Sequence, residues 1–271
     1  MYEVHVINLD KAPERYAHML EQCGKYNLMP NRFSAITPSS LPDWLKGFFY
    51  DEAGHRYADL KPGEIGCYAS HLSLIKKSLT ENKVLLIMED DLVLTEGFSN
   101  IDLIVENLPD DWGFVRLSNE TKSAFKLIKD FSFGSLGEHW RIPNNMGAYL
   151  VHPRGAKCFL EYRMQRFRAI DEDFRRVWEY GAPNYSLAPG LAITNVFDST
   201  IDSFGDRSNE RERDRKRWFK ARELWFARPY WWFKRWGVLS VIKAVLVNLK
   251  ASLVKKVKGK KGISDHLYFI R

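Results

Sequence analysis

The chain has 271 residues, 45% of them hydrophobic, which is enough for a full core in one large domain, or in one domain with an appendage, and excludes a largely disordered protein. Its formal charge of +7 is unevenly held: residues 207–262 carry 18 Lys and Arg against 4 Asp and Glu, while the remainder carries 23 against 30. An acidic body therefore bears a basic tail, and three cysteines (Cys23, Cys67, Cys158) with no disulfide or zinc spacing among them point to a reducing cytosol and buried thiols.

The amino terminus has neither a basic n-region nor a long apolar core, so it reads as a strand that starts at once rather than a secretory signal. Residues 2–9 alternate and then turn apolar, ending at Asn8, Leu9 and Asp10. A helix follows, with Pro13 in its first turn, an apolar stripe of Tyr16, Met19, Leu20 and Cys23, and Gly24 near its stop. Arg15 in its opening turns reads as a phosphate or base contact at a sheet edge, or simply as an exposed helix residue. A second short strand spans residues 33–36 and includes Ala35. Residues 37–62 combine three prolines and two glycines with Trp44, Phe48, Phe49, Tyr50 and Tyr57, the composition of a lid or of a satellite cluster; the lid is preferred. A helix then runs over 63–79 with Glu64 at its start; His71, near its middle, reads more readily as a packed histidine than as a ligand.

Residues 84–88 are an apolar, branched-rich run suited to a strand buried on both faces, and Glu89, Asp90 and Asp91 follow at its carboxyl end. Ligands bind at that edge of open α/β sheets, and clustered oxygen donors there suit Mg²⁺ or Mn²⁺ carrying a phosphorylated substrate. An acidic loop solvating a strand end is an equal reading of the same residues. Further on, the pattern predicts a helix over 101–108, a strand over 114–117, loop and hairpin over 118–143, and a strand over 148–152 ended by Pro153. A helix over 154–164 follows, then a second acidic cluster, Asp171 to Asp173, opening a helix, and a last short strand near Val196.

Four strings occur in a recognisable order: Ile7-Asn8-Leu9-Asp10 followed by Arg15; Gly63-Glu64-Ile65-Gly66-Cys67-Tyr68-Ala69-Ser70-His71; Glu89-Asp90-Asp91; and Gly147-Ala148-Tyr149-Leu150 with Gly155-Ala156. Over roughly residues 2–200 the chain resembles the family 25 glycosyltransferases, a group of lipopolysaccharide and lipooligosaccharide galactosyltransferases with relatives acting on collagen. The resemblance implies an α/β fold of the GT-A type that binds a nucleotide sugar on a central, mainly parallel sheet, a divalent metal, Mn²⁺ or Mg²⁺, and inversion at the anomeric carbon. It assigns the metal to Asp91 and Glu89, the UDP-sugar to Asn8, Leu9, Arg15, Ala35, Glu89 and Asp90, and the catalytic base to Asp171, with Asp173 as its alternative.

The body is thus taken as residues 1–206 and the tail as a helical segment over 207–271. In the tail nine aromatics fall between Trp218 and Trp236, interleaved with Lys and Arg, and an amphipathic helix follows over 238–257. Rings and cations together describe a segment lying on an anionic leaflet through residues 207–262, ahead of tryptophans packed into a subdomain. Nucleic acid ranks below both, since no recognised nucleic-acid module surrounds the segment. The resulting expectation is a cytoplasmic enzyme, peripheral on the inner face of the cytoplasmic membrane, acting on a lipid-linked oligosaccharide. A non-catalytic adaptor and a nucleotide-sugar hydrolase are the rivals.

Overall fold

The computed structural model describes residues 1–58, 60–118, 123–193, 226–258 and 268–270. Two compact units emerge: Met1–Asn119, Asn144–Asn184 and Gly190–Asp206 form the first, and Glu120–Pro143, Tyr185–Pro189 and Arg207–Arg271 the second. The basic tail therefore shares a unit with two segments from the middle of the chain. The described strands are β1 (Tyr2–Asn8), β2 (Asn31–Ser34), β3 (Val84–Glu89), β4 (Val93–Leu94), β5 (Phe114–Arg116), β6 (Ala124–Phe131), β7 (Gly134–His139), β8 (Ala148–Val151), β9 (Asn184–Ala188), β10 (Ala192–Ile193) and β11 (Tyr268–Ile270). The described helices are α1 (Pro13–Gly24), α2 (Asp43–Phe49), α3 (Pro62–Glu81), α4 (Ile101–Glu106), α5 (Pro153–Glu161), α6 (Ile170–Phe174), α7 (Val177–Tyr180), α8 (Arg228–Trp236) and α9 (Val238–Lys258).

In the first unit the sheet order is β5-β8-β3-β1-β2. β1 runs parallel to β2 and β3, with Asn8 opposite Ser34 and Ile7 opposite Glu89, so three carboxyl ends meet along one edge. β8 lies antiparallel between β3 and β5. The sheet is mixed rather than mainly parallel. Leu85 to Met88 and Ala148 to Val151 are all buried, and a strand covered on both faces gives the same apolar run whichever way its neighbour points.

Two glycines of the recognised strings, Gly66 and Gly155, are packing requirements. A Cβ on Gly66 would stand 2.5 Å from the Ile36 carbonyl oxygen, and one on Gly155 would stand 2.3 Å from the Gly113 carbonyl oxygen. Each lets backbone approach backbone, setting α3 against the chain after β2 and α5 against the residue before β5. Glu64 Oε2 accepts the Lys61 amide at 2.8 Å, capping α3. Residues 37–62 differ from the preferred lid reading: α2 buries Leu45, Phe48 and Phe49, and Phe49 stands edge-on to Tyr68 at 5.4 Å. Phe48 and Phe49 form a satellite cluster, held also by the fully buried Arg166, whose amide donates to the Phe48 carbonyl at 2.8 Å, while Trp44 stays exposed.

In the second unit the strand order is β11-β6-β7-β9, and β6 and β7 make the expected hairpin. Buried Glu138 fixes α8 to it, accepting Arg235 Nε at 2.6 Å and Trp236 Nε1 at 2.9 Å. Trp232 and Trp236 are buried beside Trp140, at 6.0 and 5.7 Å between ring centres. α9 buries Val241 and Ala244, while Val238, Leu239, Ile242, Val245, Leu246 and Leu249 are exposed. Among the described residues no helix is long and apolar enough to cross a membrane. The charged stretch 208–217, Trp218, Phe219, Trp225 and the strand expected near Val196 lie outside the described residues.

Candidate active site

At the carboxyl edge of β1 and β3 the side chains form a continuous polar lattice. Buried Asn8 donates through Nδ2 to Asp90 Oδ2 at 2.7 Å and to the Ala12 carbonyl at 2.9 Å, and its Oδ1 accepts from Arg32 Nε at 2.9 Å. Arg15 Nη1 reaches Asp90 Oδ1 at 3.4 Å. Arg32 and Ser34 both donate to Asp10 Oδ1, at 2.8 and 2.6 Å. Burial raises the Asp90 pKa from its ordinary value, against the lowering pull of Asn8 and Arg15. The Asn8 amide is spent inside this lattice, so Asn8 braces Asp90 and Arg32 rather than presenting itself to a ligand. Leu9 contributes its carbonyl to the Ala12 amide at 3.0 Å, and Ala35 donates its amide to the Asn8 carbonyl at 2.9 Å. Both are backbone members of the same edge.

Beside this lattice one face of α3 meets the end of β3. Cys67 and His71 stand four residues apart, hence on one helical face. His71 lies 3.3 Å through Nε2 from Glu89 Oε1 and 3.0 Å through Nδ1 from the Tyr149 hydroxyl, the latter on β8. One ligand atom from each of Cys67, His71 and Glu89 lies within 4.8 Å of the others, a donor set that fits a divalent cation. Among the described residues this is the group of three or more such donors, and it includes Glu89 but not Asp91, which sits half-exposed in the turn after β3. Burial, then the charges of Glu89, Asp171 and Glu64, pushes the Cys67 thiol well above its ordinary pKa. The Tyr149 hydroxyl is raised in the same way by burial, Glu89 and Cys67.

The second acidic cluster divides into two roles. Asp173 is fully buried, accepting Tyr68 Oη at 2.9 Å and Arg168 Nη1 at 3.0 Å. A carboxylate so held is a strut between α3 and α6, with no face left for a substrate. Asp171 is half-exposed and takes the Glu172 amide at 2.8 Å. Burial raises its pKa, with the Glu172 amide, Arg116 and Arg175 pulling it down and the Glu172 charge adding to the rise. Arg116, at the end of β5, is 2% exposed, and its Nε and Nη2 have no hydrogen-bond partner among the described residues. Its Nη1 touches Met146 Sδ at 3.8 Å and its guanidinium lies 5.4 Å from the Phe174 ring centre. Burial brings its pKa down to about 10.

Three of these residues, Cys67, Arg116 and Tyr149, carry no role in the sequence reading. The four-residue Cys67 to His71 spacing is the one signal of their meeting in the sequence, since residues i and i+4 share a helical face. Arg116 ends a strand of three residues, and nothing in the sequence marks its burial.

A family model described as glycosyltransferase family 25 (LPS biosynthesis protein) matches residues 1–173. A Haemophilus influenzae protein described as a glycosyltransferase is 29% identical over 224 residues, covering 77% of this chain and 78% of its own. The lacto-N-neotetraose biosynthesis glycosyltransferase LgtE of Neisseria meningitidis serogroup B is 25% identical over 257 residues, covering 80% and 85%. A solved glycosyltransferase involved in the glycosylation of the major capsid of PBCV-1 superposes with a TM-score of 0.39 at 10% identity, over 74% of this chain and 95% of its own. With the family match extending from β1 through the Asp90 lattice and the α3 face to Asp173, the chain belongs to glycosyltransferase family 25.

Proposed function

We propose that the chain transfers galactose from UDP-galactose to a lipooligosaccharide or lipopolysaccharide acceptor, inverting the anomeric carbon with a divalent cation at the diphosphate. The observation that carries this reading is the setting of Asp171. It is a half-exposed carboxylate electrostatically coupled to Arg116 and Cys67, and so shares one neighbourhood with Glu89 while coming from a separate helix. An inverting transfer needs that pairing: a proton acceptor on one side of the sugar and charge stabilisation for the leaving diphosphate on the other. The kinship with LgtE, named for lacto-N-neotetraose biosynthesis, supports a saccharide acceptor.

In this mechanism the acceptor oxygen forms its bond to C1 as the bond from C1 to the diphosphate breaks. The bonding pair leaves with UDP, and the hydroxyl proton passes to Asp171. Arg116 lends Asp171 a nearby positive charge that favours its ionised, proton-accepting form. Asp90, braced by Asn8 and Arg15, holds the nucleotide at the strand ends. A bound Mn²⁺ or Mg²⁺ supplies Lewis-acid stabilisation to the departing diphosphate, and Glu89, with Asp91 in the following turn, would hold it.

The second unit supports peripheral attachment on the inner face of the cytoplasmic membrane, where a lipid-linked acceptor is reached. Its exposed α9 stripe, flanked by exposed Lys243 and Lys250, has the composition of a helix resting on anionic lipid. The functional test is product analysis with UDP-galactose, UDP-glucose and a truncated lipooligosaccharide, with anomeric configuration read by proton coupling. Acceptor-dependent β-galactoside supports the reading. Free galactose formed equally well without acceptor replaces it with a hydrolase.

A further inference from the structure

We infer that His71 is a positioning residue for the transfer: from α3 it holds one oxygen of Glu89 and so turns the other toward the donor diphosphate and its cation. The inference rests on the reading proposed above, keeps Glu89 and Asp91 as the groups that hold the cation, and adds the residue through which the fold sets Glu89.

The string from Gly66 to His71 builds this contact from the helix outward. Gly66 lets α3 close on the Ile36 carbonyl, and fully buried Ser70 pins the helix there, accepting the Ile36 amide at 2.8 Å and donating to the Gly66 carbonyl at 2.8 Å. His71, the next residue, is 1% exposed. Its Nδ1 stands 3.0 Å from the Tyr149 hydroxyl on β8, and its Nε2 stands 3.3 Å from Glu89 Oε1 at the end of β3. A carboxylate oxygen only accepts, so Nε2 donates to Glu89. The Tyr149 hydroxyl can give or take a hydrogen bond, and it completes the ring in either case.

Proximity alone groups His71 with Cys67 and Glu89 as donors. The hydrogen bonds place it differently: one nitrogen is spent on the Glu89 carboxylate and the other on Tyr149, so His71 acts through Glu89. A histidine that serves packing alone ends its bonds on buried partners. Here only the inner partner, Tyr149, is buried, while the outer one is a side chain 30% exposed at the carboxyl edge of the sheet. Among the described residues Glu89 Oε2 takes no hydrogen bond, which leaves it to a ligand. Carboxylates that hold a metal are themselves hydrogen-bonded from behind, and loss of such a partner costs about 10–100-fold in metal affinity.

The test separates the two bonds of the ring. In His71→Gln the side-chain amide extends to the Nε2 position and can donate to Glu89; in His71→Asn it stops at the Nδ1 position, within reach of Tyr149 alone. Full-length chains are titrated with Mn²⁺ in the presence of excess UDP, with free Mn²⁺ read by electron paramagnetic resonance, and with UDP in the absence of metal as the control. His71→Asn is expected to weaken Mn²⁺ binding by about 10–100-fold while metal-free UDP binding stays at the wild-type level, and His71→Gln to restore most of the Mn²⁺ affinity. Equal losses in the two variants mark a packing role or direct ligation by the imidazole, and overturn the inference. Should His71→Asn fail to fold, Tyr149→Phe, which frees the inner end of the ring, takes its place: weakened Mn²⁺ binding supports the chain of contacts, and wild-type affinity sinks it. Wild-type Mn²⁺ affinity in His71→Asn removes the role of His71 and leaves the proposed transfer standing, whereas a wild-type chain that takes up no Mn²⁺ with UDP removes the cation from that transfer and this inference with it.

Discussion

Asn8 donates its side-chain amide to Asp90 at 2.7 Å, joining the end of β1 to the turn after β3 across 82 positions of sequence. The same side chain accepts from Arg32 and donates to the Ala12 carbonyl, so one buried amide orders three segments. Replacing it leaves Asp90 and Arg32 short of a partner, at about 1–3 kcal/mol for each group so stranded. Asn8→Ala is expected to lose about 2 kcal/mol of stability in urea denaturation and to weaken UDP binding in calorimetry. Asn8→Asp, which sets a second carboxylate beside Asp90, should weaken it further. Unchanged UDP affinity in both variants would detach this lattice from the nucleotide.

The two aspartates of α6 should fail in different ways. Asp173→Ala leaves the buried Tyr68 hydroxyl without its acceptor and takes from Arg168 one of two carboxylates, Glu179 remaining at 3.1 Å, so the loss should be about 1–3 kcal/mol. Asp171→Asn removes a half-exposed carboxylate and should leave the denaturation midpoint nearly unmoved while lowering kcat by about 10²–10⁴. Measuring both parameters on both variants separates strut from base. Full activity in Asp171→Asn would return the role of base to another group.

Asp171 also carries a pH signature. Its folded pKa is raised by burial, so the ionised form needed to accept a proton takes over at a higher pH than in an unperturbed aspartate. The acid limb of kcat/KM should accordingly lie above the unperturbed value. Arg116→Met, which removes a charge that lowers this pKa, should move the limb higher still. For stability the sign is opposite to that of a salt-bridged carboxylate. Between the unfolded pKa and the raised folded one the native state holds more proton than the unfolded chain, so Asp171 favours folding at low pH and loses that contribution as pH rises through its folded pKa. A limb at the ordinary carboxylate pKa, unmoved by Arg116→Met, would assign it elsewhere.

Much of the first unit was legible in the sequence because its signals are local. The run Val84 to Met88 and the Pro13 helix start depend on neighbours within a few residues, and β3 and α1 lie where those signals put them. What stayed hidden depends on partners far along the chain. Nothing near Asp173 announces that Tyr68, 105 residues earlier, will consume its carboxylate, and the capping look of 171–173 concealed that its members split between surface and core. The direction of β8 was equally invisible, since burial on both faces erases the alternation that would betray it. In the tail, the apolar stripe of α9 was legible as a stripe. That it faces outward, with Val241 and Ala244 turned in, follows from contacts with β6 and β11 that no periodicity encodes.

That outward stripe gives the last prediction. Leu239, Leu246 and Leu249 are 77%, 60% and 56% exposed, so serine at these positions removes little packing from the unit. Burying one such side chain in lipid is worth about 1.5–3 kcal/mol, so the triple variant should lose affinity for phosphatidylglycerol vesicles by more than about a hundredfold. Lys243→Glu and Lys250→Glu together should weaken binding to anionic vesicles while leaving the weaker binding to neutral ones unchanged, and salt should reduce the difference. Flotation with matched circular dichroism spectra checks both variants. A soluble oligosaccharide released from the truncated lipooligosaccharide provides the control: transfer to it should be unaffected in the triple variant, while transfer to vesicle-borne lipooligosaccharide falls. Vesicle binding that survives the three serines would leave the α9 stripe without a role at the membrane.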